Sequence, residues 1–142
     1  MSTIVVGLDG SEGSSGALRF ALTEARLRGA TLKAVSTWQI PATAYETGWV
    51  PSPTDLADFP RLAQDAIDKE LAAMGEEAAG IEVTPVVREG HPADVLCAEA
   101  HDADLLVLGS RGLGGFRGLM LGSVSQQCAH HAPCPVAIVP TK

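Results

Sequence analysis

The residues with the clearest chemical potential lie between Asp104 and Ser125, DLLVLGSRGLGGFRGLMLGSVS. Leu105 to Leu108 form a short apolar run that opens at Gly109, the pattern of a buried strand meeting a turn. Gly112, Gly114, Gly115 and Gly118 follow, with Arg111 and Arg117 among them, before Gly122 and Ser123. Glycines let a backbone approach a ligand closely and adopt φ > 0, and a helix N-terminus adds unpaired N–H groups and a partial positive charge. An anion is the natural occupant of such a loop, phosphate above all. Ser123 stands three residues before Gln126, the spacing of a capping box, so a helix is expected to start at Ser123. The same residues also suit a plain strand-to-helix turn in which the glycines serve geometry alone. No Gly-Lys-[Ser/Thr] occurs, and Arg117 stands where G-x-G-x-x-G would need its third glycine.

Other reactive side chains are scattered. Asp9 ends the apolar run Thr3 to Leu8, where a strand would present a carboxylate, although Asp-Gly is also ordinary turn chemistry. His91 lies in a Gly90-His91-Pro92 turn and either faces a ligand or is merely solvated. Cys128, His130, His131 and Cys134 fall within seven residues. Cys128 and His131 can share a helix face, but Cys134 lies beyond Pro133, so tetrahedral closure would strain the backbone and two buried thiols are the alternative. There is no G-x-S-x-G elbow, no H-E-x-x-H and no lysine in the glycine loop. Binding is therefore better supported than hydrolysis.

The elements that must position these groups follow from periodicity. Thr3 to Leu8, Thr31 to Thr37, Ile81 to Val87, Leu105 to Leu108 and Val136 to Val139 read as strands. Ala17, Leu18, Ala21, Leu22 and Ala25 share one face of a helix that Gly29 ends and that Ser11 or Ser14 caps. Ala63, Ala66, Ile67, Leu71 and Met74 mark a second helix, whose Asp65, Asp68, Glu70, Glu76 and Glu77 read as a solvated face. A third starts at Pro92, with Ala93, Leu96, Cys97 and Ala100 buried. Pro41 to Pro60, with four prolines, reads as a long loop of the kind that lies over a site. Alternating strands and helices argue an α/β fold with a doubly wound parallel sheet, whose ligands sit at the carboxyl ends of the strands.

Composition bounds the reading. A chain of 142 residues fits one domain, and 46% hydrophobic with 4% aromatic residues implies an aliphatic core. Ten Lys and Arg against seventeen Asp and Glu leave a net charge of −7, which argues against nucleic acid or an anionic membrane as partner. Without a signal-like segment or an apolar run of about 20 residues, a cytoplasmic location is expected. The three cysteines, without C-x-x-C spacing, suit a reducing compartment.

The spacing Gly109-x2-Gly112-x9-Gly122-Ser123, followed by Val124 and Ser125, resembles the ATP-binding signature of the universal stress protein family. Ile4 to Ser11 is similar to that family's opening strand and acidic turn, and Ala132 to Pro140 to its closing strand, so the likeness spans nearly the whole chain. It implies a Rossmann-like sheet of five parallel strands in the order 3-2-1-4-5. It also implies ATP, alone or with Mg2+, held by Gly7, Asp9, Thr37, Gly109, Ser110, Arg111, Gly112, Gly122, Ser123, Val124 and Ser125. Asp9 would hold the adenosine part, and the backbone near Thr37 and Trp38 would read the base. Trp38 either stacks on adenine or packs against the long loop. The resemblance further implies a homodimer through the edge Val136 to Val139 and a nucleotide-dependent regulatory role in stress response. The alternatives are a slow ATPase, an adenylyl-transferring enzyme of related fold, which lacks here its H-x-G-H and S-G-G-x-D motifs, and a nucleotide-free dimerising module.

Overall fold

Ile4, Val5 and Val6 are each 0% exposed, because the strand that carries them lies in the middle of the sheet and is covered on both faces. The computed structural model describes residues 2–40, 46–48, 51–110 and 121–140. The elements run β1 (Thr3–Gly7), α1 (Glu12–Arg28), β2 (Thr31–Trp38), α2 (Pro53–Met74), β3 (Val83–Glu89), α3 (Pro92–Glu99), β4 (Leu105–Gly109), α4 (Ser123–His131) and β5 (Val136–Val139), with short 3₁₀ turns at Gly75–Ala78 and Ala100–Asp102. All strand pairs are parallel, in the order β3-β2-β1-β4-β5.

Side chains on successive residues point to opposite faces of a sheet, and this splits the interior in two. Ile4, Val6, Leu105 and Val107 pack with Ala17, Leu18, Ala21 and Leu22 of α1 and Ile67 of α2. Val5, Leu106 and Leu108 pack on the other side with Ala93 and Leu96 of α3 and Cys128 of α4. This is the doubly wound arrangement expected from the sequence, and it leaves the carboxyl ends of β1, β2 and β4 side by side.

Local chemistry sets the helix ends. Ser11 caps α1, its hydroxyl oxygen accepting from the Ser14 amide at 3.2 Å, while Gly29 closes the helix at φ 63°. Helix α2 corrects the expected Pro41–Pro60 loop, because it begins at Pro53 rather than near Ala63. Ser52 and Asp55 form a reciprocal capping box, with Asp55 N donating to Ser52 Oγ at 3.1 Å and Ser52 N to Asp55 Oδ2 at 2.9 Å, and Pro53 occupies the first turn. Pro60 sits inside this helix, where it cannot donate to the carbonyl of Leu56. The third strand runs two residues later than Ile81 to Val87, and Pro85 is tolerated there because β3 is an edge.

Candidate functional site

A cleft of about 1050 Å³ opens at the carboxyl ends of β1, β2 and β4. Gly7, Leu8 and Asp9 line it at the end of β1, Thr37 and Trp38 at the end of β2, Gly109 and the first turn of α4 beyond β4, and Phe59 and Leu62 of α2 complete the lining. Of the eleven residues expected to hold a nucleotide, eight line this one cleft: Gly7, Asp9, Thr37, Gly109, Gly122, Ser123, Val124 and Ser125. Ser110 stands just behind it, its carbonyl accepting from the Gly122 amide at 2.7 Å. Arg111 and Gly112 lie outside the described residues, as do Gly114, Gly115, Arg117 and Gly118.

Helix α4 starts at Ser123 as expected, but its cap differs from the expected capping box. Gly122 is the N-cap and Ser123 the first helical residue, so no side chain closes the helix start. The first intrahelical amide bond is Gln126 N to Gly122 O at 3.0 Å, which leaves the amides of Ser123, Val124 and Ser125 without an intrahelical acceptor. These residues line the cleft, and their N–H groups, with the helix dipole behind them, have the chemistry that suits an anion.

Two contacts that local sequence cannot reveal fix this end. Ser125, 2% exposed, donates its hydroxyl to the carbonyls of Ser110 at 2.9 Å and Gly109 at 3.2 Å, tying α4 to the end of β4. Gly109 in turn leaves no space for a side chain, since a Cβ there would stand 2.7 Å from the Gly13 carbonyl oxygen. At Gly7 a Cβ would press on Leu108 and Leu96 at 3.0 Å. Both glycines therefore serve close packing as well as lining the cleft.

Asp9 Oδ1 accepts from Ser11 N at 2.9 Å and from the Ser11 hydroxyl, an Asx-type turn that holds the carboxylate at the start of α1. Trp38 stacks on Phe59, with ring centroids 5.7 Å apart and planes at 16°. Phe59 lies in the stretch expected as the long loop, so of the two placements open to Trp38 the structure shows packing there. His91 is exposed at the N-cap of α3 and does not line the cleft, whereas the next residue, Pro92, does.

Among the described residues no group of three or more His, Cys, Asp or Glu is placed to hold a metal ion. Burial, reinforced by neighbouring Cys97, pushes the Cys128 thiol up to about 12, and burial also raises Cys134. Cys128 is fully buried, as expected, but Cys134 is only partly so.

Glu70 corrects the solvated face assigned to α2. It is 7% exposed, and its Oε1 accepts from Ser14 Oγ at 2.6 Å and Ser15 Oγ at 3.3 Å. Desolvation raises its pKa above the usual carboxylate value, against the lowering effect of the Ser14 and Ser15 hydroxyls, and the charge of Asp9 raises it further. The helical period alone hints at this, since Glu70 falls three residues after buried Ile67 and four before Met74.

Comparison with known proteins agrees with this geometry. The family model for the universal stress protein family matches residues 1–140. A universal stress protein of Mycobacterium tuberculosis strain H37Rv is 31% identical over 143 residues, covering 95% of this chain and 44% of its own length. The chain thus spans a little under half the length of that relative. A universal stress protein solved in complex with cAMP superposes with a TM-score of 0.67 at 30% identity, covering 99% of this chain and 98% of its own. One from Archaeoglobus fulgidus, in complex with dAMP, gives 0.60 at 26%, covering 97% of each chain. With the sheet order, the cleft and the match over nearly the whole length in agreement, this chain belongs to the universal stress protein family.

Proposed function

We propose that the cleft binds ATP and that the protein acts as a nucleotide-dependent regulator in stress response. The observation that carries this reading is the uncapped start of α4, whose Ser123, Val124 and Ser125 amides meet a cleft that ends, across β1, in the Asp9 carboxylate. Phosphates suit the amide end, while Asp9 suits ribose hydroxyls, which donate where phosphates cannot. The two related structures with adenine mononucleotides support the reading that the ligand is a nucleotide. The Gly122 amide is engaged with Ser110, so Gly122 contributes close approach rather than a hydrogen bond. Mg2+, where it accompanies the triphosphate, would enter the cleft with it.

The same reading includes a homodimer through β5 and a cytoplasmic setting. Among the described residues no helix is long and apolar enough to cross a membrane. Titration calorimetry with ATP, AMP and adenosine tests the function directly. Measurable binding of all three, strengthened by phosphate, is expected, and no heat with any of them refutes it.

A further inference from the structure

Among the described residues no cation pairs with Glu70, a buried acid. Oε2 is fully enclosed and has no hydrogen-bond partner among the described residues, while Oε1 depends on two serine hydroxyls. Burying an ionised carboxylate without a counter-charge is costly. Among the charged groups on the elements around it, Arg19 of α1 pairs with Glu77, and Lys33 of β2 and Arg88 of β3 both pair with Glu99 on the α3 side. Asp9 acts on Glu70 and repels its ionised form, while the Gly10 amide favours that form weakly.

The hydroxyl of Ser14 accommodates either state. It lies 2.6 Å from Glu70 Oε1 and 3.1 Å from the Ser11 carbonyl oxygen. Its single proton points to Glu70 when the acid is ionised. When Glu70 is neutral, Oε1–H donates to Ser14 Oγ, which then donates to Ser11 O. No heavy atom has to move. The chain continues to the cleft, because Ser14 N donates to Ser11 Oγ, which donates to Asp9. Asp9, Ser11 and Ser14 all line that cleft.

We propose that Glu70 is a proton-binding site linked to the cleft, so that an anionic ligand held at the start of α4, in the cleft that Asp9, Ser11 and Ser14 also line, draws one proton from water onto the Glu70 carboxylate. The reason is electrostatic: phosphate at the start of α4 adds negative charge to the cleft that already holds Asp9, beside the first turn of α1 that Gly109 meets at Gly13. The proposal rests on the nucleotide reading in that the anion is taken to be the phosphate of the bound nucleotide. Adenosine, without phosphate, draws no proton.

The experiment is calorimetric titration of the intact protein and of Glu70→Gln with ATP, adenosine and inorganic tripolyphosphate, between pH 5 and 8, in two buffers of unequal ionisation enthalpy. It is paired with carboxyl carbon NMR of Glu70 in the wild-type protein. The wild-type protein should take up protons with ATP and tripolyphosphate but not adenosine, bind ATP several-fold more tightly as pH falls, and show a Glu70 midpoint that rises on binding. Glu70→Gln, a neutral isostere, should lose the Glu70 share of this uptake and bind ATP at pH 7.5 at least as tightly as wild type. Equal uptake by both proteins, weaker ATP binding by a folded Glu70→Gln, or an unmoved Glu70 midpoint overturns the proposal. If Glu70→Gln fails to fold, the NMR midpoint decides alone. Tripolyphosphate shifting Glu70 without any ATP or adenosine binding refutes the nucleotide reading and leaves the proton site standing, whereas no binding of any probe refutes both.

Discussion

Gly109 and Gly13 meet at their backbones: a Cβ built on Gly109 would lie 2.7 Å from the Gly13 carbonyl oxygen. The end of β4 and the first turn of α1 are therefore in contact without side chains between them, and this contact aligns the two sides of the cleft. Gly109→Ala must push one element away from the other. Overpacking of this kind costs about 1–3 kcal/mol. A lowered midpoint of denaturant unfolding and weakened ATP binding are expected together, and an unchanged midpoint would show that the contact yields freely.

Gly122→Val tests the phosphate end. Its backbone, at φ −65° and ψ 163°, is open to any residue, so the fold should survive. The β-branched side chain instead occupies space at the mouth of the uncapped helix. ATP affinity should fall at least tenfold while far-ultraviolet dichroism stays as in wild type. Unchanged affinity in the folded variant would remove the phosphates from this turn.

Asp9→Ala addresses the nucleoside. If Asp9 holds ribose, adenosine and ATP lose affinity by similar factors, on the order of 1.5–3 kcal/mol for a hydrogen bond to a charged group. A loss confined to ATP would assign the carboxylate to a cation or to the phosphates. The variant also releases Ser11, so the capping bond to Ser14 should be checked by amide exchange.

Acid should stabilise the fold through Glu70. Its native pKa lies above the ordinary 4.5, chiefly from desolvation, so between the two values the folded chain holds more protons than the unfolded one. Stability from this group therefore falls as pH rises from about 4.5 through the raised value, and levels off above it. Glu70→Gln lacks the effect. Relative to wild type, its melting temperature should be more favourable at pH 7.5 than at pH 4.5, and an equal difference at both would contradict the raised value.

β5 presents four partly exposed residues, Val136 to Val139, at the edge of the sheet, with Pro135 and Pro140 beside them. Two such edges related by a two-fold axis pair antiparallel and close at the dimer. Light scattering at micromolar concentration should give twice the chain mass. Ile138→Pro, which removes a donor from the ladder, should shift it toward one, while a monomeric wild-type protein would end the idea.

What could be read from the residues was what is local or periodic. Ser11, Gly29 and Pro92 mark helix ends by their own chemistry, and the apolar runs of β1, β4 and β5 need no partner to be recognised. The strand order came from the likeness to a family, not from any pattern in the chain. The start of α2 was obscured because prolines and aromatics before Ala63 broke the helical period, although Ser52 and Asp55 stand at capping-box spacing. Glu70 was misread for a different reason: a charged residue on a helix suggests solvent, and only the approach of Ser14 and Ser15 from α1 encloses it. The dual contact of Ser125 and the tight seat of Gly109 likewise arise from elements brought together across the fold.

The pairing of Ile4 with Leu105 also bears on how the chain is made. At about 5–20 residues per second, synthesis from one to the other takes about 5–20 seconds. During that time β1, β2 and β3 can assemble under α1 and α2, but the face that carries Val5 and Val35 has no α4 on it, and the β1 edge has no β4. The innermost strand of the finished protein is thus the open rim of the nascent one, which makes Ile4 to Val6 the segment a ribosome-associated chaperone should grip longest.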